Sequence, residues 1–223
     1  MRTIIISLGG SLIVPAKVDI NFLNNFKRTI LSHLRTNRFI IYCGGGRLAR
    51  DYQAALSDIT KAPQEALDWI GIHATMVNAS FVQKLFGDLS DETIIIDPTK
   101  KIKSKKKIIL AAGWKPGWST DYDAVLVAKQ LKVKEMINMS NVDTIYDKDP
   151  KKFKNVKAIK EISWKNLRKI VGSEWSPGLN MPFDPIAAKE AEKIGLKVYV
   201  IGKDLNNLTR VITRRTFKGT LVY

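Results

Sequence analysis

The sequence predicts an α/β fold in which a mainly parallel central sheet is covered by helices on both faces, giving a three-layer αβα sandwich. Short apolar runs with the length of buried strands alternate with longer segments in which apolar residues recur every three or four positions. No repeat or low-complexity linker interrupts this alternation, and 223 residues suit one domain with a full core. We therefore expect a single α/β domain over residues 1–223.

The first elements form a predicted βαβ unit. Residues 3–8 and 38–43 are apolar runs of strand length, and a helix is predicted between them over 19–36. One face of that helix carries apolar residues at three- and four-residue spacing, namely Leu23, Phe26, Ile30 and Leu34. Two strands joined through a helix are typical of parallel pairing.

The same alternation continues to the end of the chain. A long helix is predicted after Pro63, a residue that suits a first helical turn, and its apolar stripe comprises Leu67, Ile70, Ala74, Val77, Phe81 and Leu85. Further strands are predicted over 93–97, 108–112, 135–139, 197–201 and 220–222, and further helices over 121–131, 184–194 and 205–212.

Cysteine and histidine are too scarce to support disulfide or zinc chemistry. Cys43 is the single cysteine, and two histidines cannot build a site with metal-ligand spacing, so we predict no metal held by protein side chains alone. The apolar run at the start of the chain stops at Gly9 after the length of one strand. We therefore predict neither a secretory nor a membrane-spanning segment, and expect a cytoplasmic protein.

The chain is strongly basic, with 37 Lys and Arg against 21 Asp and Glu and a net charge of +16. Such a charge attracts nucleotides, nucleic acid or acidic membrane surfaces. Six lysines fall within 100–107, but no aromatic interleaving or nucleic-acid motif accompanies them. We interpret them as a solvated basic surface rather than a nucleic-acid site.

Glycine-rich segments follow three of the predicted strands, over 7–11, 44–50 and 113–121. In parallel sheets, ligands bind at the carboxyl ends of the strands. Glycine lets the backbone approach a phosphate closely, and a helix that begins there adds its positive end. The sequence has neither a G-x-x-x-x-G-K-[ST] loop nor a G-x-G-x-x-G loop, so we predict polyphosphate binding in another kind of fold.

Six motifs then carry a family resemblance. They are Leu8-Gly9-Gly10-Ser11, Gly44-Gly45-Gly46-x-Leu48-Ala49-Arg50, Asp68-x-Ile70-Gly71, Pro116-Gly117-x-Ser119-Thr120-Asp121, Asn141-Val142-Asp143-x-x-Tyr146-x-x-Asp149-Pro150 and Asp184-Pro185-x-Ala187-Ala188-Lys189. In this order they cover nearly the whole chain, which resembles the amino-acid-kinase superfamily and, within it, the short archaeal-type UMP kinases.

The resemblance implies the amino-acid-kinase fold and transfer of the γ-phosphoryl group of ATP to UMP in pyrimidine nucleotide biosynthesis. It implies an acceptor-binding part over roughly 1–134 and an ATP-binding part over roughly 135–223. The residues expected at ATP are Gly9, Gly10, Gly46, Arg50, Ser140, Tyr146 and Asp149. Mg²⁺ is expected to be held mainly by the nucleotide, and the protein to be a homo-oligomer, since family members commonly form hexamers built from dimers.

The resemblance also implies the acceptor residues. Those expected at UMP are Gly45, Asp68, Trp114, Lys115, Pro116, Gly117, Trp118, Ser119 and Thr120. Asp121 is expected to organise charge around the transferred phosphoryl group. Asp68 and Asp121 each have a structural alternative, as a solvated helix residue and as a helix N-cap, whereas for Asp184 we favour a cap followed by an N1 proline.

Two features depart from the family pattern. Many members carry a lysine where this chain has Ser7, and Lys115, Lys148 and Lys151 are candidates to replace that cation. Trp114 and Trp118 stand where smaller or more polar residues are usual. Two alternatives therefore stay open: a kinase of the same superfamily with another small phosphate or carboxylate acceptor, and a weakly catalytic regulatory homologue that binds nucleic acid.

Overall fold

A computed structural model describes residues 1–148, 153, 155–172 and 183–223. Within these residues a seven-stranded sheet runs in the order β3-β2-β1-β4-β8-β9-β7, and every neighbouring pair is parallel except β8–β9. Its strands are β1 (Arg2–Leu8), β2 (Asn37–Cys43), β3 (Ile108–Ala111), β4 (Glu135–Met139), β7 (Glu161–Ile162), β8 (Lys197–Ile201) and β9 (Thr220–Val222). A separate antiparallel pair joins β5 (Ile145–Tyr146) to β6 (Ala158–Ile159).

Helices cover both faces of the sheet. They are α1 (Gly10–Ile13), α2 (Ile20–Ser32), α3 (Gly46–Ile59), α4 (Gln64–Phe86), α5 (Thr120–Gln130), α6 (Trp164–Val171), α7 (Pro185–Lys193) and α8 (Leu205–Ile212). One core joins α1, α2, α4 and α8 to the sheet, and the other joins α5, α6 and α7 to its opposite face. The predicted three-layer αβα sandwich is confirmed.

The position of β1 between two cores explains why its sequence is almost continuously apolar. Ile4, Ile6 and Leu8 enter the first core, whereas Ile5 enters the second. Successive side chains of a strand point to opposite faces, so a strand covered on both sides must be apolar at both sets of positions. The same rule places Ser7 on the face of Ile5, at the carboxyl end of the strand.

Several sequence-based assignments need correction, among them the short strands β5, β6 and β7, which were not predicted. Residues 93–97 are not a strand but contribute one isolated parallel bridge, Ile95 to Ala111. Asp91 and Asp97 accept hydrogen bonds from the backbone two residues ahead, and these side-chain turns end the pairing on both sides. Helices α3 and α6 were not predicted. Helix α3 does carry Leu48, Tyr52, Ala55 and Ile59 at three- and four-residue spacing, although Ala49 is its only buried residue.

Among the described residues, none of the helices combines the length and the apolar character that crossing a membrane requires.

Candidate active site

The two glycine loops after β1 and β2 lie against each other at the carboxyl edge of the sheet. A Cβ on Gly10 would collide with the backbone nitrogen of Gly46, and a Cβ on Gly46 would collide with the Gly10 carbonyl. Gly46 also has a φ of +64°, a conformation that favours glycine. Only glycine allows the two backbones to approach this closely. The loops therefore form a single cradle lined by peptide groups, which suits phosphate.

Helix α3 begins inside this cradle. Gly45 is its N-cap and offers no side-chain hydrogen bond, so the first N–H groups of the helix have no side-chain cap. The Asn78 side chain, on α4, donates hydrogen bonds to the carbonyls of Gly44 and Gly45, at 2.7 and 3.1 Å, and so holds the loop in place. The helix start has no side-chain cap, and the loop that leads into it is held in place by Asn78. A helix N-terminus of this kind is an anion-binding feature.

A cavity of about 280 Å³ opens beside the cradle. It brings together residues from the start of α3, from α4 and from the segment that leads into α5, including Gly45, Gly46, Arg50, Asp68, Trp118, Ser119 and Thr120. Five of these seven were expected at the acceptor. Gly46 and Arg50 were expected at ATP, and both line the same cavity as the acceptor residues.

Asp68 is buried on α4, with 6% of its surface exposed. Its Oδ2 accepts a hydrogen bond from the Gly117 N–H at 2.7 Å, and its Oδ1 accepts one from Gln64 Nε2 at 3.1 Å. The alternative of an ordinary solvated helix residue is therefore wrong. Asp68 joins the long helix to the loop over residues 113–119, here called the acceptor loop.

Aromatic stacking holds the acceptor loop against α5. The Trp118 ring lies 4.4 Å from the Tyr122 ring and 6.4 Å from the Trp114 ring, measured between centroids, and both pairs are stacked. Lys115 Nζ lies 4.1 Å from the Trp114 ring centroid. This cation–π contact turns the ammonium group of Lys115 toward the indole. Pro116, also expected at the acceptor, is half-buried in the same loop.

Asp121 lies in the first turn of α5 and accepts two hydrogen bonds on Oδ1. Ser7 Oγ donates at 2.6 Å and Asn138 Nδ2 at 3.0 Å. Ser7 and Asn138 are register partners on the adjacent strands β1 and β4, which explains why both reach the same oxygen. Burial raises the pKa of Asp121 to about 6, against the lowering effect of the Ser7 hydroxyl.

The N-cap of α5 is Ser119 rather than Asp121. Its hydroxyl accepts a hydrogen bond from the Tyr122 N–H at 3.2 Å. The structural alternative for Asp121 as a cap is therefore wrong. The expectation for Asp184 is confirmed, since it caps α7 through the N–H groups of Ile186 and Ala187 and Pro185 follows it.

Asp123, which was not predicted, is a buried carboxyl group that contacts the acceptor loop. It is fully buried, and its Oδ2 accepts a hydrogen bond from the Trp114 N–H at 3.1 Å. Burial, followed by the charges of Asp184 and Asp121, raises the pKa of Asp123 to about 8, against the lowering effect of the Trp114 hydrogen bond. Its one sequence signal was a second aspartate in the first turn of a helix, a common stabilising feature with no chemical specificity.

The residues expected at ATP are only partly brought together. The Gly9 N–H donates to the Met139 carbonyl at 2.8 Å, which sets Gly9 beside Ser140 at the end of β4. Tyr146 is half-buried on β5. Asp149 lies outside the described residues, as does Lys151, one of the candidate cations.

No three acidic, histidine or cysteine side chains of the described segments are placed to hold a metal ion. The cradle suits a phosphate chain instead.

Comparisons with known proteins agree with this geometry. Uridylate kinases of Thermococcus sibiricus and Pyrococcus abyssi are 33% and 32% identical to this chain, each covering 98% of both sequences. The crystal structure of uridylate kinase from Archaeoglobus fulgidus matches with a TM-score of 0.85 at 28% identity, over the whole of both chains.

A more distant structure, UMP kinase from Bacillus anthracis, matches with a TM-score of 0.78 at 18% identity, over 99% of this chain and 95% of that one, and shows a shared fold. The model of the amino acid kinase family matches residues 2–202. With the fold, the glycine cradle and the cavity beside it, this match establishes that the chain belongs to the amino acid kinase family.

Proposed function

We propose that this protein is a kinase that transfers the γ-phosphoryl group of ATP to UMP and gives ADP and UDP. The observation that carries the proposal is the contact between the Gly10 and Gly46 loops. The cradle that these loops form lies directly beside the cavity bordered by Asp68 and the acceptor loop. This arrangement offers adjoining positions for two phosphorylated ligands. The curated relatives named uridylate kinase support UMP as the acceptor.

The size and the polarity of the cavity suit a mononucleotide. At about 280 Å³ it lies just below the range of about 300–1,000 Å³ that is usual for ligand pockets. Arg50 and the start of α3 supply positive charge at one end, and Asp68 supplies a carboxylate that can accept from nucleoside hydroxyl or N–H groups. Backbone N–H groups with the Ser119 and Thr120 hydroxyls suit the phosphate.

The reaction is then a direct in-line transfer in which the protein holds two anions together and offsets their repulsion. The acceptor phosphate is already ionised, so no general base is needed. Asp121 organises the charged groups around the phosphoryl group in flight, from a position fixed by Ser7 and Asn138. Mg²⁺ bound to the ATP phosphates would supply further neutralisation.

We further propose a homo-oligomer and a cytoplasmic role in pyrimidine nucleotide biosynthesis, with an acceptor part over about 1–134 and an ATP part over about 135–223. An apolar stripe on the outer side of α4 supports self-association. Trp69, Val77 and Phe81 are exposed there by 41%, 57% and 46%, on successive turns with His73 stacked on Trp69. Exposed apolar patches of this kind are typical of protein interfaces.

An acceptor panel tests the proposal. The purified protein, ATP and Mg²⁺ are combined with one acceptor at a time from UMP, CMP, AMP, GMP and small carboxylic acids, and ADP release is followed. We expect UMP to give the highest kcat/KM. A non-nucleotide acid or CMP that exceeds UMP by more than tenfold would show that the acceptor is wrong, and selective RNA binding at physiological salt without turnover would favour the regulatory alternative.

A further inference from the structure

A buried polar layer lies between the sheet and the N-terminal ends of α5 and α7. Tyr42, Ser7 and Asn138 are in register across the neighbouring strands β2, β1 and β4, so their side chains emerge on the same face. The carboxylates of Asp123 and Asp184 enter this layer from the two helices. The function proposed above uses Ser7 and Asn138 but gives no role to the rest of the layer.

Three atoms of this layer are buried without a hydrogen-bond partner: Asp123 Oδ1, Asp184 Oδ2 and the Tyr42 hydroxyl. Asp123 and Tyr42 are fully buried, and Asp184 is 6% exposed. Buried polar atoms are almost always paired, because leaving one unpaired forfeits its hydration. Asp184 acts electrostatically on Asp123, and Asp123 acts on Tyr42. The three unpaired atoms therefore indicate one missing proton donor rather than three independent failures to form a hydrogen bond.

The charged neighbours of Asp123 make its ionised form costly. Asp184 approaches from α7, Asp121 from the same helix and Asp97 from the segment before β3, and each of these carboxylates raises the pKa of Asp123. On the sheet side, the charge of Asp123 acts in turn to raise the pKa of Tyr42, for which burial is the larger cause. A carboxylate with one hydrogen bond, no exposure and three acidic neighbours is better accommodated as the neutral acid.

We propose that Asp123 is a positioning residue that acts as a neutral carboxyl group, with one oxygen holding the acceptor loop at Trp114 and its proton directed into the buried layer toward Asp184. This rests on the function proposed above, because the loop that it holds borders the acceptor cavity. In the neutral form Oδ2 keeps the Trp114 N–H, and the O–H on Oδ1 turns a donor toward Asp184, whose Oδ2 has no hydrogen-bond partner, although the nearby Ser119 hydroxyl also stabilises the charge of Asp184.

The proposal has a consequence for the acceptor loop. Ionisation of Asp123 removes the donor and adds a negative charge beside Asp184, so the layer must open or take in water. The Trp114 end of the loop depends on this layer, whereas the Gly117 end is held independently by Asp68. Loss of the proton should therefore loosen one end of the loop and weaken acceptor binding.

Two variants of Asp123 separate the neutral from the ionised form. Asp123→Asn keeps an oxygen for the Trp114 N–H and an N–H₂ donor for Asp184, and it cannot ionise. Asp123→Ala removes both. KM for UMP and kcat are measured from pH 6.5 to 9 for the wild type and both variants, with circular dichroism as the folding control.

For the wild type we expect KM for UMP to rise about tenfold between pH 7 and pH 9, as a group with a pKa of about 8 loses its proton. For Asp123→Asn, the ratio of KM for UMP at pH 9 to that at pH 7 should be near one. Ionisation of the substrates affects all three proteins equally, so the comparison isolates Asp123. Asp123→Ala should show a KM at pH 7 at least fivefold above that of Asp123→Asn. The proposal would be overturned if KM for UMP rose between pH 7 and pH 9 by the same factor in Asp123→Asn as in the wild type. It would also be overturned if the two variants had the same KM at pH 7.

A second readout does not depend on the substrate. The protein has five tryptophans, of which Trp114 and Trp118 lie in the acceptor loop. We expect the tryptophan fluorescence of the nucleotide-free wild type to include a change centred near pH 8, and the part of it that Asp123→Asn abolishes reports on this loop. If UMP proves not to be the acceptor, this signal still tests the position of the loop. A wild-type signal that is flat from pH 6.5 to 9, or one that persists in Asp123→Asn, would contradict the neutral carboxyl.

Discussion

The Ser7 hydroxyl stabilises the ionised form of Asp121 against the effect of burial, and its removal should shift the pH dependence of turnover. The Ser7 hydroxyl donates to Asp121 Oδ1 at 2.6 Å, a distance typical of a hydrogen bond to an ionised oxygen. This contact lowers the pKa of Asp121, whereas burial raises it to about 6. In Ser7→Ala the opposing effect is lost, so the carboxyl group should hold its proton to a higher pH.

The size of the shift follows from the contact. A hydrogen bond to a charged group contributes about 1.5–3 kcal/mol, and one pKa unit corresponds to about 1.4 kcal/mol. Loss of the Ser7 contact should therefore raise the pKa of Asp121 by about one to two units. If ionised Asp121 is the active form, turnover falls as pH drops through this pKa. The midpoint should move from about 6 in the wild type to about 7–8 in the variant.

The assay is kcat from pH 5 to pH 9 with both substrates saturating. Ser32→Ala serves as a matched control, because Ser32 is an exposed residue of α2 whose hydroxyl donates only to the Thr29 carbonyl. Asp121→Asn should lower kcat by about a hundredfold and abolish the acid limb, if it resembles other electrostatic stabilisers. The reasoning is refuted if Ser7→Ala has the wild-type midpoint, or if Asp121→Asn keeps full turnover.

Three further predictions concern the cavity, the cradle and the basic surface. Asp68→Asn should raise KM for UMP by about tenfold and leave KM for ATP unchanged, because one of its two accepting oxygens is lost; equal effects on both substrates would contradict this. Gly10→Ala should abolish ATP binding in a titration, since the added Cβ collides with Gly46, and retention of wild-type affinity would exclude the cradle as the phosphate site. Replacing exposed lysines by glutamine should leave kcat within about twofold, because they lie outside the cavity; the set is Lys101, Lys103 and Lys105.

The parts of the site that could be predicted from sequence are those in which the chemistry demands a residue type. Gly10 and Gly46 are predictable because no side chain fits where two backbones touch. Asp121 was predictable through its motif, but its partner Asn138 was not, because the β1–β4 register that brings the two together is a property of the folded sheet.

Asp123 and α3 show where sequence reasoning fails. A helix start with aspartates at 121 and 123 looks like a favourable charge pattern, and only the packing of α7 and β2 against α5 turns Asp123 into a buried carboxyl group. Helix α3 was overlooked although Leu48, Tyr52, Ala55 and Ile59 recur at three- and four-residue spacing, because the glycine-rich segment over 44–50 runs into its first turn.

The location of Arg50 also depends on the fold. It was expected near ATP because it follows the second glycine loop, yet it lines the cavity with Asp68 and Trp118. Arg50 lies one turn of α3 beyond the cradle, and the sequence spacing does not tell on which side of the helix it lies. Its contribution to either substrate stays a prediction.

Direct identification of the product tests the central claim. The protein is incubated with Mg²⁺, ATP labelled with ³²P in the γ-position, and an equimolar mixture of UMP, CMP, AMP and GMP, and the labelled nucleotides are separated by anion exchange. We predict that the label appears first and mainly in UDP, with a matching release of ADP. Label in another diphosphate, or only in inorganic phosphate, would contradict a kinase specific for UMP.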